Sequence, residues 1–504
     1  MNPSFPLALA FAATLGLARP AGAAAPSPGT AAPRPNVLLI TVDDLNDWAG
    51  PTGGHPQART PALDRLAAQG TVFTNAHCQA PICHPSRVSF MTGMLPSTTG
   101  MYSMGPMDFR RDCPALRDAA ATPTLPEHFA AHGYRTLGVG KIFHNSSATD
   151  TFQEYGPRGD WGPFPADGRK LVDVPGGSLW DWGRFPARDE DTVDRAVADW
   201  AADRLAEPAE RPFFLAVGFF RPHAPMYAPA SWWESQPDVA GIRLPPHRAD
   251  DRADLGAYAQ ALTYAATSPR HSFFETGDRW REAVQAYLAC LSFVDAQIGR
   301  LLAALDRSPH ARHTIVVLLG DNGLSLGEKS RWGKRSLWER DTRVPLLVRA
   351  PGLPAGGRCA EPAGLVDLFP TLVELCGLAP PPRIRGKFPR PPVAGPRRRP
   401  GPDANELLRG QPRRAFAGPP LHPVRGWFGG ALRSPHGPAR VAQPGGPGGP
   451  AGGRPRAGPL SAAGEHAGAA RQHRPRRRPR AARLVRGRAL RRRRNGTKPA
   501  FVPG

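Results

Sequence analysis

Five short apolar runs rich in branched side chains constrain the fold of this chain more than any other feature. They occupy residues 37–42, 135–139, 212–220, 313–319 and 345–349. A strand with one wet face alternates polar and apolar residues, whereas a nearly unbroken apolar run belongs to a strand covered on both faces. Between these runs, residues 60–68, 124–131, 191–206, 283–306 and 366–376 carry helical spacing. The clearest helix is 283–306, where Leu288, Leu291, Val294, Ile298, Leu301 and Leu305 build an apolar stripe. Strand and helix alternate along the chain, which predicts an α/β sandwich with a large, mainly parallel sheet flanked by helices.

Four of the runs end in polar or charged residues: Asp43-Asp44, then Lys141 with His144, then Arg221-Pro222-His223, and Asp321-Asn322. Ligands of open α/β sheets bind beyond the carboxyl ends of the strands. One site at one sheet edge is therefore expected. Residues 224–279 have little periodicity and several prolines, and read as an elaborated loop region shaping a cleft.

A second feature converges on that edge. In Cys83-His84-Pro85-Ser86-Arg87 the proline is preorganised for the first turn of a helix and forfeits no hydrogen bond there. A helix N-terminus with Arg87 beside it suits a tetrahedral oxyanion such as sulfate or phosphate. A cysteine that merely packs in the core is the competing reading. Asp43, Asp44, Asp321 and Asn322 offer only oxygen ligands, the set preferred by a hard cation such as calcium or magnesium. No Cys/His cluster has the spacing of a zinc site. Asp-Asp after a strand also serves simply to cap a turn.

Cys83-His84-Pro85-Ser86-Arg87 resembles the Cys-x-Pro-Ser-Arg signature of the sulfatase family, and the surroundings extend the match. The further resembling residues are 34–44, Gly140-Lys141-Ile142-Phe143-His144, Phe219-Phe220-Arg221-Pro222-His223, Asp321-Asn322-Gly323 and Arg343-Val344-Pro345-Leu346-Leu347. They run in family order and are most similar to the iduronate-2-sulfatase-like branch. The resemblance implies an alkaline-phosphatase-like fold and hydrolysis of sulfate esters. It implies that Cys83 is oxidised to formylglycine by a formylglycine-generating enzyme and that its hydrate is the nucleophile. It assigns calcium to Asp43, Asp44, Asp321, Asn322 and the modified Cys83. It gives His144 the role of base, Lys141 and Lys334 that of sulfate-binding cations, His223 a place at the sulfate or the leaving oxygen, and Arg87 that of holding nucleophile and metal ligands. The implied substrate is a sulfated carbohydrate.

The net charge of +23 suggests a nucleic-acid binder until its location is considered. Residues 383–504 hold 29 Lys and Arg against 3 Asp and Glu, which leaves 36 basic and 39 acidic residues before position 383. The body thus has no electrostatic footprint for nucleic acid, and none is expected as a partner. The resemblance implies a small C-terminal subdomain after residue 378 that cannot be found. The tail instead runs in Pro, Arg, Gly and Ala, with Arg491-Arg492-Arg493-Arg494 near its end. Three readings apply: a basic extension for polyanions, a solvated segment without a role, or a reading-frame error in a GC-rich gene. The abruptness of the change favours the last.

Residues 5–18 form an apolar run followed by Ala21-Gly22-Ala23, a small-x-small pattern, without a basic residue ahead of it. This reads as an export signal over 1–23, with a linker at 24–33, a catalytic domain at 34–382 and the tail at 383–504. A periplasmic or secreted enzyme is expected, and no later segment reads as long enough to span a membrane. Six cysteines without a Cys-x-x-Cys pair are too few for a disulfide framework. The expected activity is sulfate-ester hydrolysis. The alternatives are a phosphoester or phosphonate hydrolase of the same superfamily, or a non-catalytic polyanion binder acting through the tail.

Overall fold

The computed structural model describes residues 33–104, 108–144, 146–177, 179–262, 268–351 and 353–384. The expected export signal, nearly all of the linker and the tail beyond residue 384 lie outside the described residues. In chain order the principal elements are β1 (Asn36–Val42), α1 (Pro61–Gln69), β2 (Thr71–Phe73), α2 (Cys83–Thr92), α3 (Leu125–Ala131), β3 (Arg135–Gly140) and β4 (Glu154–Tyr155). They continue with α4 (Val193–Ala206), β5 (Phe213–Phe219), α5 (Arg279–Arg307), β6 (Thr314–Gly320), β7 (Leu346–Arg349), β8 (Gly357–Cys359) and α6 (Leu368–Leu375).

The eight strands form one sheet in the order β8-β2-β7-β6-β1-β5-β3-β4. β1 lies at its centre, parallel to β5 and β6, with Leu39 opposite Ala216 on one side and Val317 on the other. The unbroken apolar runs follow from a sheet covered twice. Val37 and Leu39 of β1 face a core shared with Val88 and Phe90 of α2, Phe129 of α3 and Phe369 of α6. Leu38, Ile40 and Val42 face Leu63 of α1, Val197 of α4 and Leu291 and Ile298 of α5. Period-two alternation sends successive residues to opposite faces, and both faces here are dry.

β7 is the exception to the parallel sheet, running antiparallel to both β6 and β2. A parallel return needs a crossover element of a dozen or more residues. Between β6 and β7 the longest helix is the single turn Glu339–Thr342, without the long crossover helix that usually accompanies a parallel return, and β7 runs opposite to β6.

Two expectations are corrected. α5, at 29 residues, is long and apolar enough to cross a membrane by length and composition, although the sequence seemed to hold no such segment. It is packed in the domain instead, with 72% of its most apolar window buried. The described residues of 224–279 are more ordered than a loop region. They carry the strand Met226–Ala228 and the short helices Ala230–Glu234, Ala257–Leu262 and His271–Phe274. Trp233 and Phe274 anchor this stretch in a third apolar cluster against Tyr287 and Phe293 of α5. All six cysteines are buried and free.

Where β3 and β5 reach the site edge, Gly140 stands opposite Gly218, and the Lys141 amide donates to the Gly218 carbonyl at 2.9 Å. A Cβ on Gly218 would sit far inside van der Waals contact of the Lys141 backbone. The two strand ends close only because neither residue has a side chain. Gly218→Ala is expected to cost about 1–3 kcal/mol through overpacking, read as a lower urea midpoint, and to displace Lys141.

Candidate active site

The end of β1 delivers Asp43 and Asp44, both buried. Asp44 adopts φ 58°, a left-handed conformation that aspartate tolerates better than most residues. Tyr287 of α5 fixes the turn, donating from its hydroxyl to the Asp44 carbonyl at 2.8 Å and accepting from the Asn46 amide at 3.0 Å. Cys83 opens α2 directly after the extended Ile82 and is 2% exposed.

Arg87, one turn further along α2, is fully buried. Its Nε donates to Asp321 Oδ2 at 2.8 Å, and its terminal nitrogens reach Thr41 Oγ1 at 3.4 Å, the Ile142 carbonyl at 3.1 Å, Asp43 Oδ1 at 3.5 Å and the Lys141 carbonyl. Asp321 spends its other oxygen on the backbone amides of Asp44, at 3.0 Å, and Asn322, at 2.8 Å. The ends of β1, β3 and β6 are thus tied to α2 through one guanidinium and one carboxylate.

Around this pair, Lys141 Nζ donates to Asp43 Oδ2. Lys334 Nζ donates to Asp44 Oδ1 and lies 2.7 Å from Cys83 Sγ. His223 Nε2 is 3.6 Å from Asp44 Oδ2, and its Nδ1 donates to the Ala224 carbonyl. Asn322 Nδ2 donates to Asp44 Oδ1 at 2.7 Å and to the Gly323 carbonyl at 2.8 Å. His144 lies beyond Lys141, its ring 6.0 Å from His84 and 5.7 Å from Trp161. All ten residues singled out from the sequence therefore belong to one contiguous cluster.

Its electrostatics follow from burial and charge. Burial alone would raise the Asp43 carboxyl, but Lys141, His223 and Arg87 outweigh it and hold that group well below the usual range. Burial and the neighbouring Asp43 push the Cys83 thiol up to about 12, so the unmodified side chain is protonated at neutral pH. Burial, helped by Lys141, lowers His144 to about 2. Burial lowers His223 to about 4 against the pull of Asp44 and Asp43. Burial would lower Lys334, but Asp44 and Cys83 raise it well above the ordinary lysine value. Burial raises Asp321 to about 6 in spite of Arg87.

The donors suit a hard cation. Ligand atoms of Asp43, Asp44, Cys83 and His223 lie within 4.8 Å of one another, and Asn322 Oδ1 is buried with no partner among the described residues. An unpaired buried carbonyl is costly unless something polar meets it. Asp321 retains lone pairs beyond the bonds it makes. Cysteine and histidine do meet here despite having no zinc spacing in sequence, but the carboxylate oxygens of Asp43 and Asp44 and the amide oxygen of Asn322 outnumber them.

Sequence comparison adds the decisive observation: residues 35–378 match the sulfatase family throughout. The chain belongs to the sulfatase family. It is 41% identical over 360 residues to a sulfatase of Formosa agariphila, covering 68% of this chain and 70% of that one. It is 34% identical over 412 residues to human iduronate 2-sulfatase, covering 69% and 70%. Among solved structures it shares its fold with a phosphonate monoester hydrolase from Silicibacter pomeroyi, with a TM-score of 0.58 at 23% identity, covering 70% of this chain and 75% of that one. A putative sulfatase from Bacteroides thetaiotaomicron gives 0.54 at 23% identity, with 70% and 73% covered. The fold is the alkaline-phosphatase-like one, and the protein is a sulfuric ester hydrolase.

Two residues of this sulfatase's site had no signal in the sequence. Trp161, from an irregular glycine-rich stretch, places its ring 4.8 Å from Lys141 Nζ and 5.7 Å from the His223 ring. Tyr287 looks like one more member of the α5 apolar stripe until its hydroxyl is placed. Removing a partner from a buried ion pair costs about 3–5 kcal/mol. Arg87→Met, which leaves Asp321 and Asp43 uncompensated, is expected to lose that much in urea denaturation, and Arg87→Lys, with fewer donors, most of it.

Proposed function

We propose that this sulfatase is a formylglycine-dependent, calcium-binding enzyme acting on a sulfated glycan, of which an iduronate-2-sulfate-type sugar is the leading candidate. The observation that carries the reading is the placement of Cys83. It opens a helix inside the family match, with its Sγ 2.7 Å from Lys334 Nζ and 4.0 Å from Asp44 Oδ1, and burial opposes ionisation of the bare thiol. Conversion to formylglycine, by a formylglycine-generating enzyme, would replace an inert thiol with an aldehyde hydrate able to act as the nucleophile on sulfur.

Calcium would be held by Asp43, Asp44, Asn322 and Asp321 together with the modified Cys83, and when bound it supplies positive charge for sulfate oxygens and favours an ionised hydroxyl. The chain's own residues do the rest. Lys141 and Lys334 neutralise sulfate oxygens as point charges. His144 is neutral, and its buried Nδ1 has no partner among the described residues, which leaves a ring nitrogen for the role of base that the family resemblance gives it, although burial and Lys141 oppose its protonation. Because Nδ1 of His223 donates to a carbonyl, Nε2 carries the lone pair in the neutral ring. Facing Asp44, Nε2 must take up a proton before it can give one to the departing oxygen. Trp161 walls Lys141 and His223 off from water.

A second reading, phosphoester or phosphonate hydrolysis, draws on the shared fold with a phosphonate monoester hydrolase. The cation cluster serves any tetrahedral oxyanion. We further propose export to the periplasm or exterior and a catalytic domain over 34–382. The family match ends at residue 378, close to where the basic composition begins.

The test is sulfate release from an aryl sulfate and a sulfated uronic-acid disaccharide, by the full chain co-expressed with a formylglycine-generating enzyme. Release that exceeds phosphate release from the matching esters and falls to background in Cys83→Ala is expected. Absence of release from chain proven by mass spectrometry to carry formylglycine would overturn the reading. For the metal, Asn322→Ala is expected to weaken calcium binding in titration calorimetry by at least the ~10–100-fold typical of losing an outer-shell partner. Equal affinity of variant and parent would remove Asn322 from the ligand set.

A further inference from the structure

Arg335 is the one arginine of its stretch without a counter-ion among the described residues. Arg331 pairs with Asp341 at 3.3 Å, Arg340 with Asp47, and Arg343 with Asp47 at 3.4 Å. Arg335 has neither a carboxylate at ion-pair distance nor a side-chain hydrogen bond within the described residues, and it is exposed. Its place is the mouth of the active site. With Lys334 and Gly333 it lines a cavity of about 180 Å³ that Asp44, His223 and Trp180, all three buried, also line.

Lys334 and Arg335 line the same cavity although they are neighbours in sequence. An extended chain sends neighbouring side chains to opposite faces. Here φ is 103° at Gly333 and 83° at Arg335, and the turn is pinned by the Arg335 amide donating to the Pro81 carbonyl at 2.9 Å. Glycine takes such a φ freely, but an arginine does so rarely. A strained residue kept at a site edge is grounds for a functional hypothesis. The inner cation, Lys334, is already engaged by Asp44 and Cys83. Arg335 is the next residue along the chain, and its side chain has no ion pair or hydrogen bond among the described residues.

We infer that Arg335 receives a second anionic group of the substrate, a carboxylate or a second sulfate carried beside the scissile sulfate ester, and so selects dianionic over monoanionic esters. A planar guanidinium suits either group bidentately. Leu179, 37% exposed, lines the cavity beside the buried Trp180 and offers an apolar contact for the ring that carries both groups. The inference rests on the sulfate-ester reading of the same site and deepens it by naming the substrate class.

The experiment compares phenyl sulfate, 3-carboxyphenyl sulfate and 3-sulfophenyl sulfate on the matured full chain, as parent, Arg335→Gly and Arg335→Lys. Glycine suits the left-handed backbone, so that variant removes the guanidinium without asking the turn to change. In Arg335→Gly the ratio of kcat/KM for a dianionic ester to that for phenyl sulfate is expected to fall about 10- to 100-fold, the value of a charge-assisted hydrogen bond, chiefly through KM. Arg335→Lys should restore part of it. The ester with the larger fall identifies the anion. The same ratio is measured as Kd by calorimetry in the Cys83→Ala background, where no turnover is needed. A ratio unchanged in Arg335→Gly overturns the inference whether or not sulfate is released. A ratio of Kd values that falls while the parent releases no sulfate upholds it and sinks the hydrolytic scheme instead.

Discussion

The buried pair between Arg87 and Asp321 is the interaction on which the rest of the site depends. A guanidinium in a dry interior is tolerable only when its donors are met, and Arg87 meets Asp321, Asp43, Thr41 and the carbonyls of Lys141 and Ile142. Those partners come from β1, from the segment after β3 and from the end of β6. A lysine in the same place could not reach them all, because its donors radiate from one atom. The pair therefore does more than neutralise charge. It sets the separation of three strand ends from the first turn of α2, where Cys83 stands.

The strand ends accept this arrangement because the backbone there is cut to fit. Gly140 and Gly218 let β3 and β5 approach closely enough for Lys141 to turn inward. Asp44 turns the chain by a left-handed φ held by the Tyr287 hydroxyl, so that Asp43 and Asp44 both face the cluster instead of alternating across the sheet. The same device recurs outside the cluster at Arg335. Departures from regular strand geometry are placed where successive side chains must serve one cavity.

The sheet was legible because both of its faces are apolar, which writes unbroken runs into the sequence. Part of the candidate site was legible because charged residues after such runs have few reasons to be there except a ligand, whereas Lys334 follows no such run and was singled out only by resemblance to the sulfatase family. Other features are not written locally. The direction of β7 depends on what lies between it and β6, and no pattern within residues 345–349 encodes it. Cys83 and His223 are separated by 139 intervening residues and meet only through the fold, so reasoning from zinc spacing could not anticipate their proximity. Trp161 and Tyr287 have ordinary aromatic sequence contexts, and their part in the site is a tertiary fact. α5 shows the converse limit, since apolar length alone does not distinguish a core helix from a membrane span.

The charge arrangement links metal and substrate. Asp43, Asp44 and Asp321 face Arg87, Lys141 and Lys334, so the inner cluster holds equal numbers of carboxylates and cations. Each cation is already paired, and an anionic ester entering such a pocket exchanges hydration for a site with no net attraction to offer. A divalent cation held by the carboxylates would change that balance: Asp43 and Asp44 would then be shared with the metal, and Lys141 and Lys334 would be freer to meet sulfate oxygens. The proposed calcium and the ester would in that case bind with positive coupling, each raising the affinity of the other by the same factor. Lys141 and Lys334 would carry that coupling, whereas Arg335 pairs with none of the three carboxylates.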